Sequence, residues 1–294
     1  MITYYFFRFF EAIFLLLPYS IQKLFMLILA KFVFLIDTKH KKIIKTNLDF
    51  TIQDKISNKS YQSIYKHCHK NLALVLLQVL RSSRLSTKDL ENTITFENKE
   101  IVDKAMADGK KIIFISAHYG NWELGGTAIS ALVSPTTTIH RKMNNPYFDK
   151  YLMKSRTKFK MTMAEKKGAI KHLMKALKKG QSISMLIDQS VHERDGIFIN
   201  FLGQKASQTA APAFLARKFD ALIIPVLINN AQDKENTITF FEPIITAKTE
   251  DEKKDILESA QAQADFLSEA IIRHPEPWFW CHKRFKASYP KMYK

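Results

Sequence analysis

The sequence predicts an α/β fold: a mixed, mostly parallel sheet flanked by helices, preceded by an N-terminal hydrophobic helical membrane anchor. Three observations carry this expectation. Short β-branched or aromatic runs alternate with helical patterns between residues 61 and 243, the order that builds a sheet with helices on its faces. The run IIFIS ending at residue 116 is continuous enough to be a parallel strand buried on both faces. Residues 4–36 are the most apolar part of the chain. The expected division is an anchoring segment over 1–45 and a main domain over 46–294.

The anchor reads YYFFRFF, AIFLLLPYSI and LFMLILAKFVFLI, interrupted by Arg8, Glu11, Pro18, Lys23 and Lys31. A signal peptide is a poor match, because the basic leading region and a small-residue cleavage site are missing. Pro18 splits the segment into two pieces, each short of a straight bilayer crossing. We read a retained anchor, as interfacial helices or as one tilted and kinked span; the alternative is core helices of a soluble domain. Lys39, Lys41, Lys42 and Lys45 follow it, a patch suited to an anionic cytoplasmic leaflet.

Residues 61–85 carry apolar positions at helical spacing and end in bases, which suit a helix C-terminus. Strands are expected at 93–98, 110–116, 182–188, 196–202, 221–228 and 236–243, with helices at 169–180 and 209–219 between them. There is no internal repeat.

Composition narrows the function. The 294 residues are 46% apolar, and 45 Lys and Arg against 28 Asp and Glu leave a net charge of +17. Such an excess implies an anionic partner: nucleic acid, a membrane surface or a phosphorylated substrate. Nucleic acid is disfavoured, since the aromatics concentrate toward the N-terminus and no zinc-finger or RNP-type pattern occurs. Cys68 and Cys281 stand far apart and in no CxxC, which indicates neither a disulfide framework nor a structural zinc site. The run His67-Cys68-His69 lies in a helical pattern, where neighbours point ~100° apart, so it reads as helix surface rather than a metal cluster.

Beyond the strand at 116 comes Ala-His-Tyr-Gly-Asn-Trp-Glu over 117–123, then a helix-compatible stretch. A polar cluster just past a buried strand is where α/β folds place ligands. His118 and Glu123 would lie roughly 140° apart on one continuous helix. They converge only if His118 is on the loop and Glu123 in the first turn of the next helix, with Gly120 permitting the bend. A neutral imidazole there can take a proton from a hydroxyl while a carboxylate fixes its tautomer. Amides at the helix N-terminus would meet an oxyanion. The bland alternative is an ordinary satisfied polar pair.

The block from His118 to Glu123 resembles the HxxxxD/E motif of the glycerolipid acyltransferase superfamily, and specifically the lipid A biosynthesis (late) acyltransferases, which add lauroyl or myristoyl chains. Further likenesses follow in order: RKMNNP at 141–146 with Asp149 and Arg156, ALKKG, the strand ending in Asp188-Gln189, GIFINFLG at 196–203, Thr209, LAR at 215–217 and Pro225-Val226. Pro275-Glu276 with Trp280, His282, Lys283, Arg284, Phe285 and Lys286 is similar to the family's C-terminal PExxxWxHxRFK. One departure stands out: where the family often has Asp-x-Asp-Tyr-Gly, the second acidic position here is Ser190.

The resemblance implies an acyltransferase catalytic domain over 46–294, with His118 as general base, Glu123 as its acidic partner, and Arg141, Arg156 and Asp188 as substrate-positioning groups. A guanidinium fork matches phosphate geometry; a surface salt bridge is an equal alternative for Arg141 and a lesser one for Arg156, and capping a turn is the lesser alternative for Asp188. His140, His172, His192, His274 and His282 are read as structural or surface residues. In the PWFWCHKRFK segment we expect Trp278 or Trp280 in the core and Lys283, Arg284 and Lys286 toward phosphates. The implied reaction carries a fatty acyl chain from an acyl carrier protein thioester to a hydroxyl of a phosphorylated lipid A precursor. Its implied setting is the cytoplasmic face of the bacterial inner membrane, with membrane lipids as further partners. Neither metal, cofactor nor covalent acyl-enzyme is required. The rivals are another glycolipid or aminolipid acceptor, and a non-catalytic membrane-binding protein.

Overall fold

The computed structural model describes residues 2–294 apart from 56–57, 167, 193, 195 and 230–235. It opens with α1 (Ile2–Phe14) and α2 (Tyr19–Ile36), separated at Pro18, which caps α2 at its N-terminus. Asp37 ends α2 and starts α3 (Thr38–Thr51), its carboxylate accepting the His40 amide at 3.0 Å. α2 is long and apolar enough, by length and composition, to cross a membrane, so it exceeds the short pieces expected. The expected boundary at 45 falls inside α3, whose Ile44 and Leu48 are buried in the main core. α4 (Asn58–Arg81) and α5 (Thr87–Thr93) follow. The His67-Cys68-His69 run is helical as expected, but Cys68 and His69 are buried rather than on the surface.

Next come β1 (Thr95–Glu97), α6 (Lys99–Ala107), β2 (Lys111–Ser116), α7 (Trp122–Leu132), β3 (Thr136–His140), α8 (Pro146–Thr157), β4 (Thr162–Glu165), α9 (Ala169–Lys178) and β5 (Ser182–Leu186). The chain continues through β6 (Ile197–Phe201), β7 (Gln204–Gln208), α10 (Ala211–Phe219), β8 (Ala221–Asn229), β9 (Thr237–Phe240) and α11 (Glu252–Arg273). Seven strands form one sheet in the order β1-β9-β8-β2-β5-β3-β4, while β6 and β7 make a separate antiparallel hairpin. Among the described residues, β8 and β9 are the antiparallel pair within the large sheet and the other pairings are parallel, so the expected mixed, mostly parallel α/β architecture is what forms.

β2 is the central strand, and alternate side chains serve opposite faces, as a period of two requires. Ile113 and Ile115 join the core built with α3, α4, α9, α10 and α11, whereas Ile112 and Phe114 join the core under α5, α6 and α7. After β2 the chain places β3, β4 and β5 on one side of it and β8 on the other. That reversal puts a crevice beyond the carboxyl ends of β2 and its neighbours, the place such sheets bind ligands. The strands with no expectation attached, β3, β4 and β7, lack an apolar run: TTTIH, TMAE and QKASQ. α11 hides for a similar reason, since its buried face is largely Ser259, Ala260, Gln263 and Ala264.

Candidate active site

Strand register builds the site. Ser116 of β2 lies opposite Leu186 of β5, and the Ile187 amide donates to the Ser116 carbonyl at 2.9 Å. Two residues past each partner, His118 and Asp188 emerge side by side. The backbone amide of His118 donates to Asp188 Oδ2 and its Nδ1 meets Oδ1, both at 2.9 Å. Trp278 Nε1 donates to the same Oδ2 at 3.0 Å. Two unambiguous donors, the His118 amide and the Trp278 indole, fill Oδ2, and the carboxyl is held ionised, so Oδ1 can only accept from the imidazole. Nδ1 therefore carries the hydrogen, and Nε2 keeps the lone pair.

The electrostatics agree. Burial raises the Asp188 carboxyl, but the imidazole's charge and the three hydrogen bonds outweigh it and bring the pKa down to about 2. For His118, burial pulls the pKa down, yet the Asp188 charge and hydrogen bond, with a smaller push from Glu123, leave it raised. The imidazole remains 18% exposed, and Gln189 Nε2 stands 3.3 Å from His118 Nε2 on the open side. Its ring sits against Trp122 (centroids 5.1 Å apart) and Phe279 (6.3 Å).

The loop carrying His118 is fixed from two directions. Gly120 has φ +54°, a left-handed turn that glycine adopts at least cost. Its amide donates to Pro277 O at 2.9 Å, and its carbonyl accepts Asn71 Nδ2 of α4 at 2.7 Å. The Phe279 amide donates to His118 O at 2.9 Å, and Tyr119 bridges to Trp278. The C-terminal segment is thereby one wall of the site.

Glu123 does sit in the first turn of α7, whose N-cap Asn121 accepts the Leu124 amide. The expected pairing with His118 does not form. Arg156 of α8 grips Glu123 with its fork, Nε to Oε2 at 3.0 Å and Nη2 to Oε1, and a planar guanidinium matches a carboxylate better than a single ring nitrogen does. Arg156 Nη1 also approaches His140 Nδ1 at 3.4 Å, while His140 Nε2 meets Asp149 Oδ1 at 2.8 Å. Arginine only donates, so His140 presents its lone pair at Nδ1 and gives its hydrogen to Asp149. Asp188, expected among substrate-positioning groups, instead orients the imidazole. Arg141 is exposed at the tip of β3.

Both tryptophans of the C-terminal segment are buried, and so is Arg284, which was expected to face phosphates. Its Nη1 donates to Gln189 O at 3.3 Å and to Ser207 O, and its guanidinium lies 4.8 Å over the Phe201 ring. Burial brings its pKa down to about 10. Ser190, at the departed acidic position, donates its amide to His282 Nε2 at 3.1 Å. Sequence reasoning assigned no site role to Trp278, His140 or Gln189. A Trp in a C-terminal aromatic run gives no sign that its indole N–H reaches a carboxylate 90 residues earlier.

A His–Asp pair whose Nε2 lone pair meets only the exposed Gln189 amide, with an adjacent helix N-terminus and a guanidinium-gripped glutamate, is a constellation for proton abstraction. The family model described as bacterial lipid A biosynthesis acyltransferase matches residues 1–287. A lipid A biosynthesis lauroyltransferase of Escherichia coli (strain K12) is 24% identical over 189 residues, covering 64% of this chain and 60% of that protein. The lipid A biosynthesis palmitoleoyltransferase of the same strain is 22% identical over 191 residues, covering 65% and 60%. A lipid A biosynthesis acyltransferase of Haemophilus influenzae is 22% identical over 195 residues, covering 66% and 60%. The chain thus matches about 60% of the length of these relatives. With a family model spanning all but its last few residues, this chain belongs to the bacterial lipid A biosynthesis acyltransferases.

Proposed function

We propose that this chain transfers a fatty acyl group from an acyl carrier protein thioester to a hydroxyl of a phosphorylated lipid A precursor at the cytoplasmic face of the inner membrane. The observation that carries the reading is an 18% exposed imidazole whose Nδ1 is held by a buried, ionised Asp188 while Nε2 lies beside the exposed Gln189 amide. His118 Nε2 takes the proton of the acceptor hydroxyl as its oxygen attacks the thioester carbonyl. The tetrahedral oxyanion forms near the first-turn amides of α7, at Trp122 and Glu123. Collapse forms the ester and expels the carrier thiolate, which recovers the proton from the imidazolium. Asp188 stabilises that imidazolium and keeps the tautomer.

Glu123 acts through Arg156, holding the guanidinium at the rim, and exposed Arg141 meets a lipid phosphate. The +17 charge suits a phosphorylated lipid and an anionic membrane surface. Purified protein in detergent, given acyl carrier thioester and lipid A precursor, should lose transfer by about 10³-fold or more when His118 becomes Ala. Activity kept in that variant rejects the assignment. Mass spectrometry of lipids from a deletion strain identifies the acceptor, and a missing acyl chain on another glycolipid or aminolipid redirects it.

A further inference from the structure

We infer that α1 and α2 lie in the plane of the bilayer, on its surface, and that neither crosses it; this rests on the membrane setting proposed above and deepens it. The decisive feature is how α2 is laid along α4. Gln22 Oε1 accepts from Arg81 Nη1 at 2.9 Å near one end, and Phe34 packs edge-on to His69 (5.5 Å) near the other. Between them Met26 and Ala30 share a buried cluster with Ala73 and Leu77. Each pair steps four residues forward on α2 and four back on α4, so the two helices run antiparallel through the length of α2.

α4 is part of the catalytic body. Its Asn71 holds the Gly120 carbonyl, and its Cys68 thiol donates to the Trp278 carbonyl at 3.6 Å. If α2 stood along the membrane normal, its roughly 27 Å would carry α4, Asn71, His69, Arg81 and the His118 loop into the hydrocarbon at the same depths. Polar side chains and irregular backbone do not tolerate that solvent.

The side-chain arcs of α2 fit the other orientation. At ~100° per residue, Gln22, Met26 and Ala30 define the face on the body, while the exposed Ile21, Leu24, Phe25, Ile28, Phe32 and Leu35 fill an arc of about 100° on the opposite side. Lys23 and Lys31 fall between these arcs on one flank, where a helix lying in the interface carries its bases. α1 repeats the plan. Tyr4 and Phe7 stack on Tyr147, Phe148 and Tyr151 of α8, and Glu11 accepts from the Tyr151 hydroxyl. Tyr5, Phe6, Phe9, Phe10 and Ile13 are left exposed.

Charge identifies the occupant as an anionic bilayer rather than another protein. Three residues past the end of α2, Lys39 begins a cationic opening that it lines with Lys42, Thr46, Lys283 and Tyr293. The consequence for function is position. α8 carries Arg156 and α4 secures the His118 loop, so the two helices that frame the site are those resting on the membrane-seated pair.

The test uses the full chain with Cys281 replaced by Ser, Cys68 being buried, and one spin label at a time on Ile21→Cys, Ile28→Cys or Leu35→Cys. These three exposed positions are seven residues apart and share one face. In phosphatidylethanolamine–phosphatidylglycerol vesicles, depth is read from the ratio of oxygen to nickel-chelate relaxation, and acyl transfer is assayed in the same sample. We expect the three labels at one depth, within about 5–10 Å of the headgroup boundary. A monotonic change approaching the ~21 Å that 14 helical residues span would overturn the in-plane orientation even if transfer is intact. Equal shallow depth without transfer upholds the orientation and refutes the enzymatic reading. Failure to float with the vesicles refutes the membrane seat itself.

Discussion

Asp188 and Glu123 stand at the same end of one sheet and have opposite surroundings. Asp188 has a 4% exposed side chain and accepts three N–H groups, one of them the imidazole. Glu123 is 15% exposed and is tied to a permanent cation. The first carboxylate governs which nitrogen of His118 holds the proton. The second belongs to a chain running Glu123–Arg156–His140–Asp149, which sets where α8 sits and therefore where the Arg156 guanidinium lies. The contrast shows that proximity in sequence and proximity in space are separate: the acid five residues from His118 pairs with Arg156, and the acid 70 residues away pairs with the imidazole.

The sharpest way to break this contrast is to neutralise each acid in turn. Asp188→Asn forces an amide N–H against one of three donors or flips the imidazole tautomer, so transfer should fall about 10²–10⁴-fold. Glu123→Gln keeps an acceptor for Arg156 and should cost only ~10-fold, expressed mainly in KM for the lipid. Steady-state kinetics on both variants decide; a larger loss in Glu123→Gln would return the role of imidazole partner to Glu123. A smaller effect concerns the second pair alone. Glu123→Gln and Arg156→Lys, measured singly and together by denaturant unfolding, should show a coupling of roughly 0.5–3 kcal/mol. Additive losses would mean that the fork contributes no specific interaction.

The legibility of these features follows from range. Buried strands such as β2 and β8 declare themselves because each is a continuous apolar run, and the α7 start is readable because Asn121, Glu123 and Gly120 act within a few residues. The resemblance gathered His118, Glu123, Arg156 and Asp188 into one site but misjudged the pairing. That pairing depends on β5 lying beside β2 with Ser116 opposite Leu186, and register between strands 70 residues apart leaves no local mark. Arg284 misleads for a related reason. A base in an aromatic-rich tail looks interfacial, yet its cation lies over Phe201 beside the β6–β7 hairpin, at a distance only the fold sets. α2 passes the test for a spanning helix on length and apolarity, and only its seam with α4 argues otherwise.

The smallest expected effect probes how Asp188 is kept ionised. Its folded pKa, about 2, lies below the ordinary carboxylate value, so its contribution to stability is complete above ~pH 4 and is lost as pH falls toward 2. Trp278→Phe removes one of the three donors; the carboxyl should rise, and acid unfolding should begin at a higher pH. Trp280→Phe is the control, because its indole N–H donates to Pro275 O at 2.7 Å and the same volume is lost without touching Asp188. Both variants should lose about 1–3 kcal/mol near neutral pH from an unmatched acceptor and a small cavity. Only Trp278→Phe should shift the acid transition, followed by circular dichroism between pH 2 and 6. The parent's transfer rate should show an acid limb with its midpoint above 6.5, because the raised His118 pKa means the neutral base is lost as pH falls through it. Neither tryptophan variant should move that limb by much, since Asp188 stays ionised throughout the range where His118 titrates; a large downward move in Trp278→Phe would mean that the indole, and not the carboxylate alone, governs the charge of the imidazole.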